Sequence, residues 1–176
     1  LKNIMVQKIV NILNNHGVNY LLSYGTGIGQ DVIYYCQSAF KVDAADIPGK
    51  TLDFAKWRFY QYGLDVKIIE INTDTPLINM YDAITIFEVF QLVVNPVDLA
   101  IHLYEHLKNN GLLIFTAKFS KSYSLALKQN QKYSKSFINR LTEIGFKLVK
   151  SNYLWGKDGN ERYLYVLIKE DKHAQK

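Results

Sequence analysis

Short apolar runs alternate with stretches of helical periodicity from one end of the chain to the other. No other feature restricts the fold as much. Met5, Val6, Ile9, Val10 and Leu13 recur at helical spacing and stop at Asn14-Asn15-His16-Gly17. Residues 18–23 then read as a strand, 31–36 open a helix, and 40–45 form a second strand. A helix over 51–62 closes at Gly63, a third strand covers 66–71, and a fourth covers 81–87 after a loop at Pro76. A helix over 97–107 is ended by Asn109-Asn110-Gly111, a fifth strand covers 112–117, and a helix over 134–144 ends at Gly145. Strands separated by helices imply parallel pairing through helical crossovers. The last two strands, 146–154 and 163–169, flank a short turn from Gly156 to Asn160 and should pair antiparallel. The expected fold is α/β, with a mostly parallel sheet of seven strands and a C-terminal antiparallel pair.

A chain of 176 residues defaults to one domain, 1–176, large enough to bury a single core. The first residue is Leu1 rather than Met, so the sequence also reads as a fragment of a longer chain. Hydrophobic content of 48% and charged content of 21% are those of a soluble protein. No apolar run reaches the ~18 residues that cross a bilayer, and no basic-apolar-small leader opens the chain. Cys36 is the single cysteine, which excludes an internal disulfide and fits a cytoplasmic location. It reads as a small buried hydrophobe. The net charge of +5 would suit an acidic partner such as RNA, but the lysines are scattered, as on an evenly solvated surface. The stretch 120–133 is the most loop-like and is placed to cover a pocket.

Between the first strand and its helix lies Gly25-Thr26-Gly27-Ile28-Gly29. In open α/β sheets ligands gather at the carboxyl ends of strands, and glycines there permit unusual dihedrals and close approach to backbone. The same glycines also suit an ordinary turn. Asp46 ends the second strand about 20 residues after Gly25, where an acid can accept hydrogen bonds from a ribose diol. It could equally cap a helix or serve the turn before Pro48-Gly49. Loop and acid together point to a nucleoside ligand. The dinucleotide fingerprint Gly-x-Gly-x-x-Gly is not present here, because the glycines fall at every second position.

Leu21-Leu22-Ser23-Tyr24-Gly25-Thr26-Gly27-Ile28-Gly29 resembles the first motif of the class I S-adenosylmethionine-dependent methyltransferases. The resemblance runs on through "ADIPGKTLDFAKWRFYQYGL", with Ala55 and Arg58 on its helix, and through "MYDAITIFEVFQLVVNP", from Asp82 to Asn95-Pro96. It extends to "LYEHLKNNGLLIFTA" and the terminal strand pair. It implies a Rossmann-like three-layer sandwich, S-adenosylmethionine as cofactor and S-adenosylhomocysteine as product. It further implies that Gly25, Gly27 and Gly29, with Ser23, Tyr24 and Thr26, line the methionine and ribose part. Asp46 would bind the ribose hydroxyls, Ile47 would pack on adenine, and Asn72 and Thr73 would lie at the adenine edge. Ile86 and Phe87 would face the methionine part and the transferred methyl. The chain departs from the family twice. Ser23 stands where the family commonly has an acid, and Gln91-Leu92 stands where many members have Glu-His.

Methyl transfer from a sulfonium is an in-line displacement with a neutral leaving group, so alignment supplies much of the catalysis. An oxygen or carbon nucleophile also needs a base. Glu88 is the best-placed candidate, though it could be a helix-start carboxylate. Lys118 could orient an anionic acceptor or be a solvated loop lysine. Phe90, Gln91, Phe119 and Tyr123 are candidate acceptor walls, Phe90 equally a core residue. His102-Leu103-Tyr104-Glu105-His106 matches a metalloprotease pattern, H-x-x-E-H. With Val97, Ala100, Ile101, Tyr104 and Leu107 as the apolar stripe, those ligand types face solvent and no metal site is expected. The expected function is methyl transfer to a small-molecule acceptor. The rivals are an RNA methyltransferase, a nicotinamide-dependent oxidoreductase and a non-catalytic methyltransferase-like domain.

Overall fold

The computed structural model describes residues 2–72, 77–119, 128–134, 136–155 and 162–170. The element order is α1 (Lys2–Asn15), β1 (Tyr20–Tyr24), α2 (Gln30–Gln37), β2 (Lys41–Asp46), α3 (Lys50–Gln61), β3 (Lys67–Glu70) and β4 (Tyr81–Phe87). There follow α4 (Pro96–Glu105), β5 (Leu107–Thr116), a 3-10 segment (Lys128–Ser134), α5 (Phe137–Ile144), β6 (Phe146–Trp155) and β7 (Arg162–Lys169). The strands form one seven-stranded sheet in the order β3-β2-β1-β4-β5-β7-β6. The chain packs as two compact units, Leu1–Thr85 and Ile86–Lys176, and the division falls within β4.

In the first unit, Val6, Ile9, Val10 and Leu13 bury one face of α1, as their spacing predicts. The helix stops because Gly17 adopts φ +64° and the Val18 and Gly17 amides donate back to the Leu13 and Asn14 carbonyls. That paired closure satisfies carbonyls that the helix itself leaves open. Leu21, Leu22 and Ser23 of β1 are all buried, the continuous run of a strand covered on both faces. β1 pairs parallel with β2, Tyr20 opposite Lys41 and Tyr24 opposite Ala45. β2 pairs parallel with β3, Asp43 opposite Lys67 and Asp46 opposite Glu70. β3 is the edge. It is four residues long and carries Glu70, which pairs with Lys56 of α3 at 2.6 Å, a short charged edge that discourages further pairing.

One carboxylate organises the interior of this unit. Asp43 of β2 is buried, and its Oδ2 accepts from the Tyr20 hydroxyl (2.6 Å), the Tyr81 hydroxyl (2.9 Å) and the Asn79 amide (3.0 Å). Such a buried charge survives because it is multiply hydrogen-bonded. Asp82 works beside it, accepting the backbone N–H groups of Asn19 and Tyr20 and fixing where β1 begins.

In the second unit β7 lies between β5 and β6 and pairs antiparallel with both. Its core is aromatic. Phe90 meets Phe115 and Phe137 edge-on at 5.4 and 4.9 Å, and Phe119 packs on Phe137 at 4.8 Å. Edge-to-face and tilted contacts of this kind add to plain area burial.

Three expected boundaries and one expected face change in the structure. β5 starts at Leu107 rather than 112, running through Asn109-Asn110-Gly111. Asn110 takes φ +61°, which asparagine tolerates, so the segment bends without leaving the strand. α4 ends early because Lys169 of β7 donates to the Tyr104 and Leu107 carbonyls at 2.8 and 2.7 Å and closes the helix end. The expected helix over 134–144 starts at Phe137 as α5, and the end of the loop-like stretch before it forms the 3-10 segment. Buried Asn130 gives its amide to the carbonyls of Gln91 and Val93, which ties that segment down in a tighter turn. On α4 the buried residues are Pro96, Ala100 and Leu103, whereas Ile101 is 41% exposed, so the stripe drawn through Ile101 is rotated away from the core. The turn over 156–160 and most of the 120–133 stretch lie outside the described residues.

Burial and the Asp43 charge push the Tyr20 phenol up to about 12, against an ordinary 10.0. Above pH 10.0 the unfolded chain releases this proton while the folded chain keeps it. The group's contribution to stability is therefore complete below pH 10.0 and is lost as pH rises through about 12. Urea denaturation across that range should show a falling midpoint, with a shallower fall in Tyr20→Phe. An identical slope in the variant would place the alkaline sensitivity elsewhere.

Candidate functional site

The loop after β1 is built around three left-handed residues. Gly25, Gly27 and Gly29 take φ +72°, +55° and +71°, conformations in which a side chain is strained. Gly25 and Thr26 donate their amides to the Ala45 carbonyl at 2.7 and 3.1 Å, stapling the loop to the end of β2. Gly27 donates to Asp46 Oδ2 at 2.6 Å, and the Ile47 amide donates to Oδ1 at 2.8 Å. Gly29 is needed for a second reason. A Cβ there would stand 2.4 Å from the Phe59 ring of α3. Arg58, one residue earlier, donates to the Ile28 carbonyl (2.7 Å) and the Gln30 side chain (2.8 Å), so α3 holds the loop from its far side.

The other expected residues of this unit fall around that loop. Ser23 is 2% exposed, and its hydroxyl donates to Asp31 Oδ2 at 2.8 Å. Thr26 is buried, and its Oγ1 has no hydrogen-bond partner among the described residues. Tyr24 is half-buried, and burial together with the Asp46 charge raises its phenol. Ile47 follows Asp46 with 67% of its surface open. Asn72 is exposed just beyond β3, and Thr73 lies outside the described residues. The sequence did not single out Asp31 or the clamping role of Arg58. The signal for Asp31 was its place two residues after Gly29, at the first turn of α2.

In the second unit the chain leaves β4 through a strained residue. Glu88 has φ +57°, its amide donates to the Thr116 carbonyl at 3.0 Å, and its carboxylate is held on both sides. Gln91 donates to Oε2 at 2.9 Å, and Arg162 of β7 stands 3.2 Å from Oε1. A non-glycine residue kept in this conformation is a cost that the surroundings must impose. Phe87 is half-buried, while Ile86 is fully buried and presents no side-chain surface. Phe90 is core rather than wall. Gln91 is fully buried, Phe119 packs in the aromatic cluster, and Tyr123 lies outside the described residues. Lys118 is 6% exposed, which is not a solvated loop lysine. Arg162, the partner of Glu88, gave no signal in the sequence because only strand pairing brings it there.

The histidines of the H-x-x-E-H pattern do not face solvent as fully as the stripe implies. His102 and His106 are half-buried with rings 4.6 Å apart, and His106 Nδ1 donates to the His102 carbonyl. No group of three or more metal-ligating side chains occurs among the described residues. Burial pushes the Cys36 thiol up to about 11, away from nucleophilic use. The second unit also has an open cavity of about 800 Å³ between α4, the 3-10 segment and α5. Ile101, Tyr104, Tyr133, Lys132 and Arg140 help line it, and none of the expected site residues does. Among the described residues, no helix is long and apolar enough to cross a membrane.

The profile of a methyltransferase domain matches residues 5–151. No curated protein is significantly similar in sequence. Among solved structures, an S-adenosylmethionine-dependent methyltransferase from Clostridium acetobutylicum superposes with a TM-score of 0.77 at 12% identity, covering 94% of this chain and 91% of that one. The N-methyltransferase NodS from Bradyrhizobium japonicum, in complex with S-adenosyl-L-homocysteine, gives 0.72 at 13% identity over 94% and 87%. Magnesium protoporphyrin IX methyltransferase from Synechocystis, with bound S-adenosylmethionine, gives 0.71 at 16% identity over 94% and 78%. With the domain profile spanning most of its length, this chain belongs to the class I S-adenosylmethionine-dependent methyltransferases.

Proposed function

We propose that this methyltransferase holds S-adenosylmethionine on the glycine loop and transfers its methyl group to a small molecule through an N–H or O–H nucleophile. The observation that carries this reading is the loop itself, three left-handed glycines closed onto Asp46. The residues present fit the cofactor. Asp46 offers a carboxylate to a diol, Ile47 offers an open apolar surface to a purine, and the buried Thr26 hydroxyl lacks the partner that a polar ligand would bring. The small-molecule acceptor is supported by analogy with the porphyrin methyltransferase of the same fold. Cytoplasmic location remains part of this proposal.

Bound, the cofactor supplies a methyl group on a sulfonium, whose departure as a neutral thioether leaves little charge for the protein to stabilise. The chain's own work is therefore alignment. Asp46 takes up the ribose hydroxyls, sharing its oxygens with the Gly27 and Ile47 amides. Asn72, exposed just beyond β3, bounds the adenine edge. Phe87 bounds the reacting methyl. Glu88, already fixed by Gln91 and Arg162, accepts a hydrogen bond from the N–H or O–H of the acceptor and receives its proton. Lys118 orients an anionic group of the acceptor.

Three measurements test this reading. Asp46→Ala should weaken S-adenosylhomocysteine binding about 10- to 100-fold in calorimetric titration, the range for a lost hydrogen-bonded charge, and Asp46→Asn should fall between. An undiminished affinity in both variants would remove Asp46 from the site. A methyl-labelled donor, offered to a cell extract split into small-molecule, RNA and protein fractions, should label the small-molecule fraction. Label confined to RNA or protein would overturn the assigned acceptor class. On the acceptor so found, Glu88→Gln should lower kcat about 10²-fold or more while leaving cofactor affinity unchanged. An unchanged kcat would make Glu88 a structural residue.

A further inference from the structure

We propose that Asp31 is the anionic partner of the cofactor's α-ammonium group, oriented by the hydroxyl of Ser23. The inference rests on the cofactor reading above and adds to it the residue that recognises the amino-acid end. An ammonium group taken out of water needs a carboxylate beside it, because an unpaired buried charge is costly. β1 supplies none at its carboxyl end, where Ser23 is neutral and buried.

The carboxylates of the first unit stand at different places in the fold. Asp43 binds Tyr20, Tyr81 and Asn79. Asp46 holds the Gly27 and Ile47 amides. Asp53 and Glu70 flank Lys56, and Asp82 takes the amides of Asn19 and Tyr20. Asp31 differs in position. It stands in the first turn of the helix that the glycine loop opens, and its Oδ2 is 2.8 Å from the Ser23 hydroxyl. The carboxylate is thus brought to the end of β1 from α2 instead of being carried by the strand.

Two further observations agree. Tyr35, one turn along α2, is fully buried, and its phenol is pushed well up by burial and then by the charge of Asp31, so that charge acts within the fold. Thr26, in the same glycine loop, has a buried hydroxyl without a partner among the described residues. A ligand carrying both an ammonium and a carboxylate would engage the two, Asp31 accepting from the first and Thr26 donating to the second.

The test compares two ligands that share the adenosine and the thioether. S-adenosylhomocysteine has the amino-acid end and 5′-methylthioadenosine lacks it. Calorimetric titration of the wild type should show the first binding at least about ten-fold more tightly, the size of one charge-assisted hydrogen bond. Asp31→Asn keeps the size of the side chain and an acceptor for Ser23. It should remove most of that preference while leaving 5′-methylthioadenosine affinity unchanged. The double variant Ser23→Asp with Asp31→Asn returns the charge to the strand and should recover the preference. Equal weakening of both ligands in Asp31→Asn would mean that the residue only shapes the loop, and the proposal falls. A preference that survives in Asp31→Asn also overturns it, with the cofactor reading intact. Failure of the wild type to bind either ligand overturns both.

Discussion

Everything at the candidate site depends on three consecutive amides that converge on the end of β2. Gly25 and Thr26 give their N–H groups to the Ala45 carbonyl, and Gly27 gives its own to the Asp46 carboxylate. Such convergence is possible only in the left-handed conformations that the glycines adopt, and only while β1 and β2 keep their parallel register. The crossover helices complete the arrangement. Phe59 lies where a Cβ on Gly29 would be, and Arg58 ties down the Ile28 carbonyl. The glycine spacing, the acid and the packing of α3 are therefore one constraint seen from three sides.

That explains why this part of the molecule was legible in the sequence. The alternation of apolar runs marks the sheet, and β4 runs from Tyr81 to Phe87, where the pattern sets it. Glycines at every second position and an acid at the end of the next strand are local signals with a local cause. What stayed hidden depends on partners distant in the chain. α4 stops where Lys169 reaches it from β7, and no residue within the helix announces that. The 3-10 segment is fixed by the Asn130 amide on backbone carbonyls after β4. Glu88 looked available in the sequence and is instead gripped by Gln91 and Arg162. The missing acid at position 23 looked like a loss of charge, because hydrogen bonding between Ser23 and Asp31 is visible only after α2 folds back onto β1.

The two units handle charge differently. In the first, the carboxylates of the interior and the glycine loop accept from neutral donors, hydroxyls and an amide at Asp43 and backbone N–H groups at Asp46 and Asp82, while Glu70 at the sheet edge pairs with Lys56. In the second, Glu88 faces a guanidinium, and its charge is partly compensated before any ligand arrives.

The strand order of the second unit has a consequence for how the chain matures during synthesis. β5 and β6 are both made before β7, yet β7 is the strand that lies between them. Until it arrives, β6 has no neighbour on which to form its ladder, and α4 lacks the lysine that closes its end. The first unit carries its own register partners in β1, β2 and β3, and can settle while the rest is still being made. The sheet order therefore leaves β6 as the one strand whose ladder must wait for the last strand of the sheet.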